Sequence, residues 1–199
     1  MSAKLYEKPD HWTKKAFSEG YPARSVYKLE EMDKKFSLFT KSSRVLDLGA
    51  APGSWTTFVL RQLNKQGLVA AIDLSPLDKA VESPNLTFFQ GDLCSAEIRK
   101  KAEALGPYDV IICDAAPQTT GNRTVDTARS SGLVEIAIWY AENFLVTGGN
   151  FVVKIFQGGS EREHLQKIRD LFSSAKGFKP VACRSSSFET YLVGIGKKA

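Results

Sequence analysis

The segment Val45-Leu-Asp-Leu-Gly-Ala-Ala-Pro-Gly-Ser-Trp55 constrains this chain more than any other. An apolar run ends in an acid, passes through a glycine-containing turn and continues from about Ser54 with helical spacing. The pattern predicts a strand, a tight loop and a helix. Glycines in such a loop let backbone N–H groups approach a ligand that side chains would hold away. The dinucleotide-binding pattern Gly-x-Gly-x-x-Gly fits poorly, because it needs a third glycine beyond Gly49 and Gly53.

The rest of the chain alternates in the same way. Val26, Leu29, Met32 and Phe36 recur at helical spacing. Strands are expected at 44–48, 68–72, 86–90, 108–113 and 150–156, and helices at about 54–64, 96–104, 131–144 and 162–172. Two short late strands are expected at 181–183 and 190–194. Residues 115–130 read as a long loop of the kind that often carries function. Residues 1–20 read as a partly ordered basic and aromatic arm ahead of one domain over 21–199. The alternation predicts an α/β fold, with a mostly parallel sheet, right-handed crossovers and helices on both faces.

Acids close three of these strands, at Asp47, Asp73 and Asp114, and Asp92 follows a fourth. Ligands of open α/β sheets bind outside the carboxyl ends of the strands, so these four acids are expected on one rim. A single such acid is commonly a turn residue or a cap; four at equivalent places point to a shared site.

Composition narrows the class. No apolar run reaches membrane-spanning length, and the charged start Met-Ser-Ala-Lys-Leu-Tyr-Glu-Lys has no signal core. Cys94, Cys113 and Cys183 form neither a metal pattern nor a disulfide framework, so they are expected as small buried hydrophobes in a reducing cytoplasm. The net charge of +5 is unevenly placed. Residues 1–44 carry ten Lys/Arg against six Asp/Glu, residues 45–175 twelve against fifteen, and residues 176–199 five against one. If the basic ends meet, they form a patch suited to a polyanion.

Three more segments carry chemistry: Arg24-Ser-Val-Tyr-Lys28-Leu, Asp114-Ala-Ala-Pro117, and Phe151-Val-Val-Lys154-Ile-Phe-Gln-Gly158. A fourth is Ser186-Ser-Phe-Glu189-Thr-Tyr-Leu-Val193. Lys154 interrupts an apolar strand, and an unpaired buried ammonium is costly. Asp114 and Glu189, at strand boundaries, are available as partners.

In this order the segments resemble the FtsJ/RrmJ-type 2′-O-ribose methyltransferases, the large-subunit ribosomal RNA methyltransferase E family. The resemblance runs from about Gly20 to the C-terminus. It implies a Rossmann-like fold with a late antiparallel strand and S-adenosyl-L-methionine (SAM) as cofactor. It also implies a catalytic tetrad of Lys28, Asp114, Lys154 and Glu189. The SAM-binding positions it implies are Asp47, Gly49, Gly53, Trp55, Asp73, Asp92 and Asp114. Asp73 is expected on the cofactor ribose and Asp92 on the adenine amino group. Two departures, Ser54 for a common glycine and Ala115 for a frequent methionine, remove no functional side chain. The expected acceptor is RNA, foremost a uridine in the A-loop of large-subunit ribosomal RNA, with tRNA as the alternative. A monomer without metal or membrane is expected.

A lysine accepts a proton only when neutral, and its reference pKa is about 10.4. A second ammonium and partial burial favour the neutral form. Lys154 is therefore expected as the base or the group that steers the acceptor hydroxyl, with Lys28 tuning it and the two acids orienting the lysines. Lys14, Lys15, Arg24, Lys34, Lys35, Lys179 and Arg184 are candidates for RNA phosphates, and Trp12 and Tyr21 for stacking on a base. Two other classes stay open: a nicotinamide oxidoreductase, disfavoured by the missing glycine and the tetrad, and a non-catalytic RNA-binding ribosome-assembly protein.

Overall fold

The computed structural model describes residues 10–184 and 187–199. The elements in order are α1 (His11–Ser18), α2 (Val26–Phe36), β1 (Arg44–Leu48), α3 (Ser54–Leu63), β2 (Leu68–Asp73), β3 (Leu86–Gln90) and α4 (Ala96–Leu105). Then come β4 (Tyr108–Cys113), α5 (Arg123–Phe144), β5 (Leu145–Phe156), α6 (Glu161–Leu171), β6 (Phe172–Phe178) and β7 (Glu189–Lys197). The seven strands form one sheet in the order β3-β2-β1-β4-β5-β7-β6. β7 runs antiparallel to both of its neighbours, and β1 to β5 pair in parallel.

Alternation along each strand feeds two apolar layers. Leu46, Leu48, Ile72, Ile111, Phe151 and Val153 pack on one face with α4, α5 and α6 residues, while Val45, Val69, Val110, Ile112 and Val152 pack on the other with α2 and α3. Burial on both faces is why these strands read as continuous apolar runs.

Three expectations need correction, in the loop after β4, the penultimate strand and the cysteines. The loop after β4 is shorter than 115–130, because α5 begins at Arg123. Its first two turns are polar, so no apolar period marks them. Asn122 accepts from the Thr124 and Val125 amides, and Ser130 Oγ accepts from the Phe156 amide. These tertiary and capping bonds supply what propensity does not. The penultimate strand is Phe172–Phe178, and residues 181–183 form a turn whose Val181 is 83% exposed. β6 is an edge strand with exposed Ser173, Ser174, Lys176 and Gly177, which blurs its period of two. Residues 11–18 of the arm form a helix whose Ala16 is fully buried; residues 1–9 lie outside the described residues. Of the three cysteines expected to be buried, only Cys113 is; Cys94 is exposed and Cys183 half-buried.

The two basic ends do meet. Glu31 of α2 accepts from the amides of Val181 and Ala182, and Arg24 Nη2 donates to the Ala182 carbonyl at 2.7 Å. Phe36 packs edge-on to Phe178 at 5.6 Å between ring centroids. Trp12 is packed on Tyr27, the guanidinium of Arg61 covers Tyr21, and Lys35 lies over Phe178.

Candidate active site

The register of the sheet assembles the site. Leu48 pairs with Ile72 on one side and Cys113 on the other, and Cys113 pairs with Val153. Asp73, Asp114 and Lys154 therefore stand in one row, one residue further on. Lys154 pairs with Tyr191 of β7, which extends the row. The row lies at the carboxyl ends of β1 and β4, where the strand order changes direction and open α/β sheets bind ligands.

Gly49 occupies this row between Asp73 and Asp114. Its φ is +74°, and a Cβ there would lie 2.6 Å from Ala115 Cα. Only glycine allows the β1 and β4 loops to approach so closely. Asp73 braces the turn: its Oδ2 accepts from the Ala51 amide at 3.0 Å and its Oδ1 from the Ser75 amide at 2.7 Å. Asp92 Oδ1 accepts from the Cys94 amide at 2.8 Å.

The four tetrad residues form two ion pairs. Lys154 Nζ stands 3.0 Å from Asp114 Oδ1 and also donates to the Asp114 carbonyl. Lys28 Nζ stands 2.5 Å from Glu189 Oε1. Lys154 is 7% exposed, so its ammonium is held by partners rather than by water. Burial opposes ionisation of Glu189, but Lys28 and then Lys154 outweigh it and hold the carboxyl below its ordinary value. Glu189 thus senses the charge of both lysines. Ser186 of the surrounding motif lies outside the described residues.

Tyr191 was not singled out from sequence as a site residue. Its hydroxyl donates to Asp114 Oδ1 at 2.8 Å, and its ring is fully buried. Burial, reinforced by Asp114 and Glu189, pushes its phenol well above the ordinary value, which keeps it a donor. The signal was its place two residues after Glu189, on the same face of a strand.

The Trp55 side chain is packed into the wall of the site. Its indole is 2% exposed, donates to the Ser25 carbonyl at 2.9 Å and lies 5.8 Å from the Tyr191 ring. The side chain buttresses the wall of the site from behind. Gly53 has φ +110°, and its neighbour across the turn is Val81; it opens α3 and borders neither cavity described next.

Two cavities flank the tetrad. The first, about 410 Å³, is lined by Gly49, Asp73, Asp92, Asp114 and Lys154, with Leu74, Leu93, Leu133 and Ile136 as apolar walls. The second, also about 410 Å³, is lined by Arg24, Lys28, Arg184, Ser187 and Glu189. Ser25 borders both, while Lys154 lines only the first and Lys28 only the second. The first cavity fits SAM. Its carboxylates can accept from hydroxyl and cationic groups, and its apolar side chains offer a surface for a flat base. Among the described residues no cluster of possible metal ligands occurs, and no helix is long and apolar enough to cross a membrane.

Asp47 lies one step below the row, on the same face as Asp73 and Asp114. It is fully buried, and one oxygen accepts from Thr56 Oγ1 at 2.7 Å while Oδ1 has no partner. Burial, against the Thr56 bond and with help from Asp114 and Asp73, pushes its carboxyl up to about 7. A raised carboxyl favours the neutral form in the fold. Its stabilising contribution is complete below the ordinary value of 3.8 and is lost as pH rises to about 7. Asp47→Asn removes that dependence. The variant is expected to gain thermal stability over wild type steadily between about pH 4 and pH 7, by a few kcal/mol in all. Parallel melting curves without cofactor check this; a difference independent of pH contradicts it.

The chain resembles known proteins over its whole length. A family model described as FtsJ-like methyltransferase matches residues 21–197. A Treponema denticola protein named ribosomal RNA large subunit methyltransferase E is 63% identical over 198 residues, covering 100% of both chains. A Plasmodium falciparum crystal structure assigned as a ribosomal RNA methyltransferase superposes with TM-score 0.78 at 29% identity, covering 89% of this chain and 98% of that one. Fibrillarin from Aeropyrum pernix, solved with natively bound S-adenosyl-L-methionine, shares the fold at TM-score 0.59 and 14% identity, covering 86% of this chain and 76% of that one. By the family match and by these shared lengths, the chain belongs to the FtsJ-like methyltransferase family.

Proposed function

We propose that this protein methylates the 2′-hydroxyl of a ribose in RNA, foremost a uridine in the A-loop of large-subunit ribosomal RNA. The observation that carries the reading is a pair of neighbouring cavities that share Ser25, one lined by Lys154 and the other by Lys28. SAM, the methyl donor that family membership implies, supplies an electrophilic methyl group on a sulfonium. Asp73, Asp92 and the Gly49 turn hold it in the first cavity. The second cavity receives the acceptor nucleotide, with Lys28, Arg24 and Arg184 facing its charge.

A ribose hydroxyl becomes a useful nucleophile as its proton leaves. Lys154 is the group that takes or steers that proton. Asp114 fixes its Nζ through two contacts, and Tyr191 fixes Asp114 in turn. Lys28 and Glu189 hold the other side of the row. The arrangement costs no reorganisation when the hydroxyl arrives, which is what catalysis by positioning requires. The Asp-Ala-Ala-Pro segment continues with Gln118 and lacks the aromatic that amino-methylating enzymes place there, which favours oxygen as acceptor.

Transfer of labelled methyl from SAM onto undermethylated large ribosomal subunits, free ribosomal RNA and tRNA tests the proposal. Alkaline digestion follows, because a 2′-O-methyl group protects its own linkage. The expected product is an alkali-resistant labelled dinucleotide from the large subunit. Label in tRNA alone moves the substrate and keeps the chemistry. No label in any RNA, with intact SAM binding, overturns the reading in favour of an RNA-binding assembly role.

A further inference from the structure

We propose that Arg24 and Arg184 form a phosphate-recognition site at the mouth of the second cavity, and that Asp10 occupies it until an RNA phosphate displaces it. The inference rests on reading that cavity as the acceptor side, and it adds which groups read the backbone and what competes with it.

Three cations line the cavity, Arg24, Lys28 and Arg184, with Glu189. Lys28 is committed to Glu189. The two arginines converge instead on one carboxylate: Asp10 Oδ2 accepts from Arg24 Nη1 and stands 4.0 Å from Arg184 Nε. Two guanidinium groups facing one oxyanion are the arrangement that recognises phosphate. The carboxylate comes from outside the cavity, at the start of α1, and does not line it.

The contacts differ in firmness. Arg24 is 16% exposed and keeps a second bond, to the Ala182 carbonyl, so it stays in place if Asp10 leaves. Asp10 is 39% exposed and Arg184 is 65% exposed, so water reaches their contact. The amide and hydroxyl of Thr13, followed by Arg24, hold the Asp10 carboxyl below its ordinary value, and it is charged at neutral pH. An RNA phosphate offers the arginines the same oxyanion, and its binding gains further from released counterions.

The two oxygens of Asp10 do separate jobs, which makes the idea testable. Oδ1 accepts from the Thr13 amide and hydroxyl, both at 2.8 Å, and caps α1. Oδ2 meets the arginines. Asn and Ser cap helices as well as Asp does, without charge. Asp10→Asn and Asp10→Ser therefore keep the helix and release the competitor.

The experiment is fluorescence anisotropy of a labelled, uridine-rich single-stranded RNA oligonucleotide on the full chain across a salt series, with melting curves for every variant. D10N and D10S are expected to bind the RNA about three- to fivefold more tightly than wild type, the most an exposed ion pair withholds. R184A is expected to bind more weakly, with a salt slope shallower by about one. Unchanged or weaker binding by the folded D10N or D10S overturns the proposal, since Asp10 would then be organising the arginines. Binding needs no methyl transfer, so the two readings fail separately. Tighter D10N binding with no transfer by wild type removes the enzymatic reading alone. Normal transfer with no gain in D10N removes this one alone.

Discussion

Lys154→Ala is expected to lower methyl transfer by about 10²–10⁴-fold, the range that a positioned acid or base contributes. SAM affinity should stay close to wild type. The reason is geometric: Lys154 is one lining residue of the first cavity, and most of that cavity is built from the β1, β2 and β3 loops. Removing the ammonium leaves Asp114 with the Tyr191 hydroxyl as its partner. A half-broken pair costs stability, so melting temperature belongs beside the kinetics. Lys154→Arg sharpens the test. Arginine keeps the charge that pairs with Asp114 but cannot be deprotonated in a protein. Failure of both variants supports proton removal by Lys154. Activity retained by arginine supports steering by charge. Loss of SAM affinity in Lys154→Ala makes the lysine structural and sinks both roles.

Gly49→Ala is expected to have the largest effect on the fold near the site. The new Cβ would sit 2.6 Å from Ala115 Cα and 2.7 Å from Ala115 N, which are backbone atoms and cannot swing away. A left-handed φ of +74° adds strain for any residue with a side chain. Overpacking costs about 1–3 kcal/mol and the backbone conformation about 1–2 kcal/mol. For a chain of this size that corresponds to a fall in melting temperature of about 5–15 °C. The same displacement parts the β1 and β4 loops, so SAM binding should be lost even below the melting transition. Calorimetric titration with SAM on the folded variant checks this. Retained affinity with unchanged melting would show that the loops adjust without cost.

The order of strands and helices was legible because the central strands are mostly apolar and an acid stands at or just beyond the ends of β1, β2, β3 and β4. Arg44–Leu48, Leu86–Gln90 and Tyr108–Cys113 lie where the alternation puts them. Elements whose stability comes from elsewhere were not legible. The first turns of α5 have no apolar stripe and are held by Asn122, Asp126 and Ser130. β6 is polar because its outer side is the edge of the sheet. The arm helix is marked by an Asp10 cap, yet it is too short to be stable without α2 beneath it.

The site divides in the same way. Sequence by itself determined the parts list: a glycine turn after a buried strand, acids at the strand ends, a lysine inside an apolar strand and a glutamate two residues before a tyrosine. Backbone geometry accounts for the glycine; the acids, the lysine and the glutamate stood out through the motifs that carry the family resemblance. Tertiary structure alone decided who meets whom. Sheet register brought Asp73, Asp114, Lys154 and Tyr191 into one row from four strands. Packing turned Trp55 into a buttress, and docking of the two chain ends set Asp10 against Arg24 and Arg184. Residues that far apart in the chain are brought together by burial of the whole core, a gain that no local pattern records.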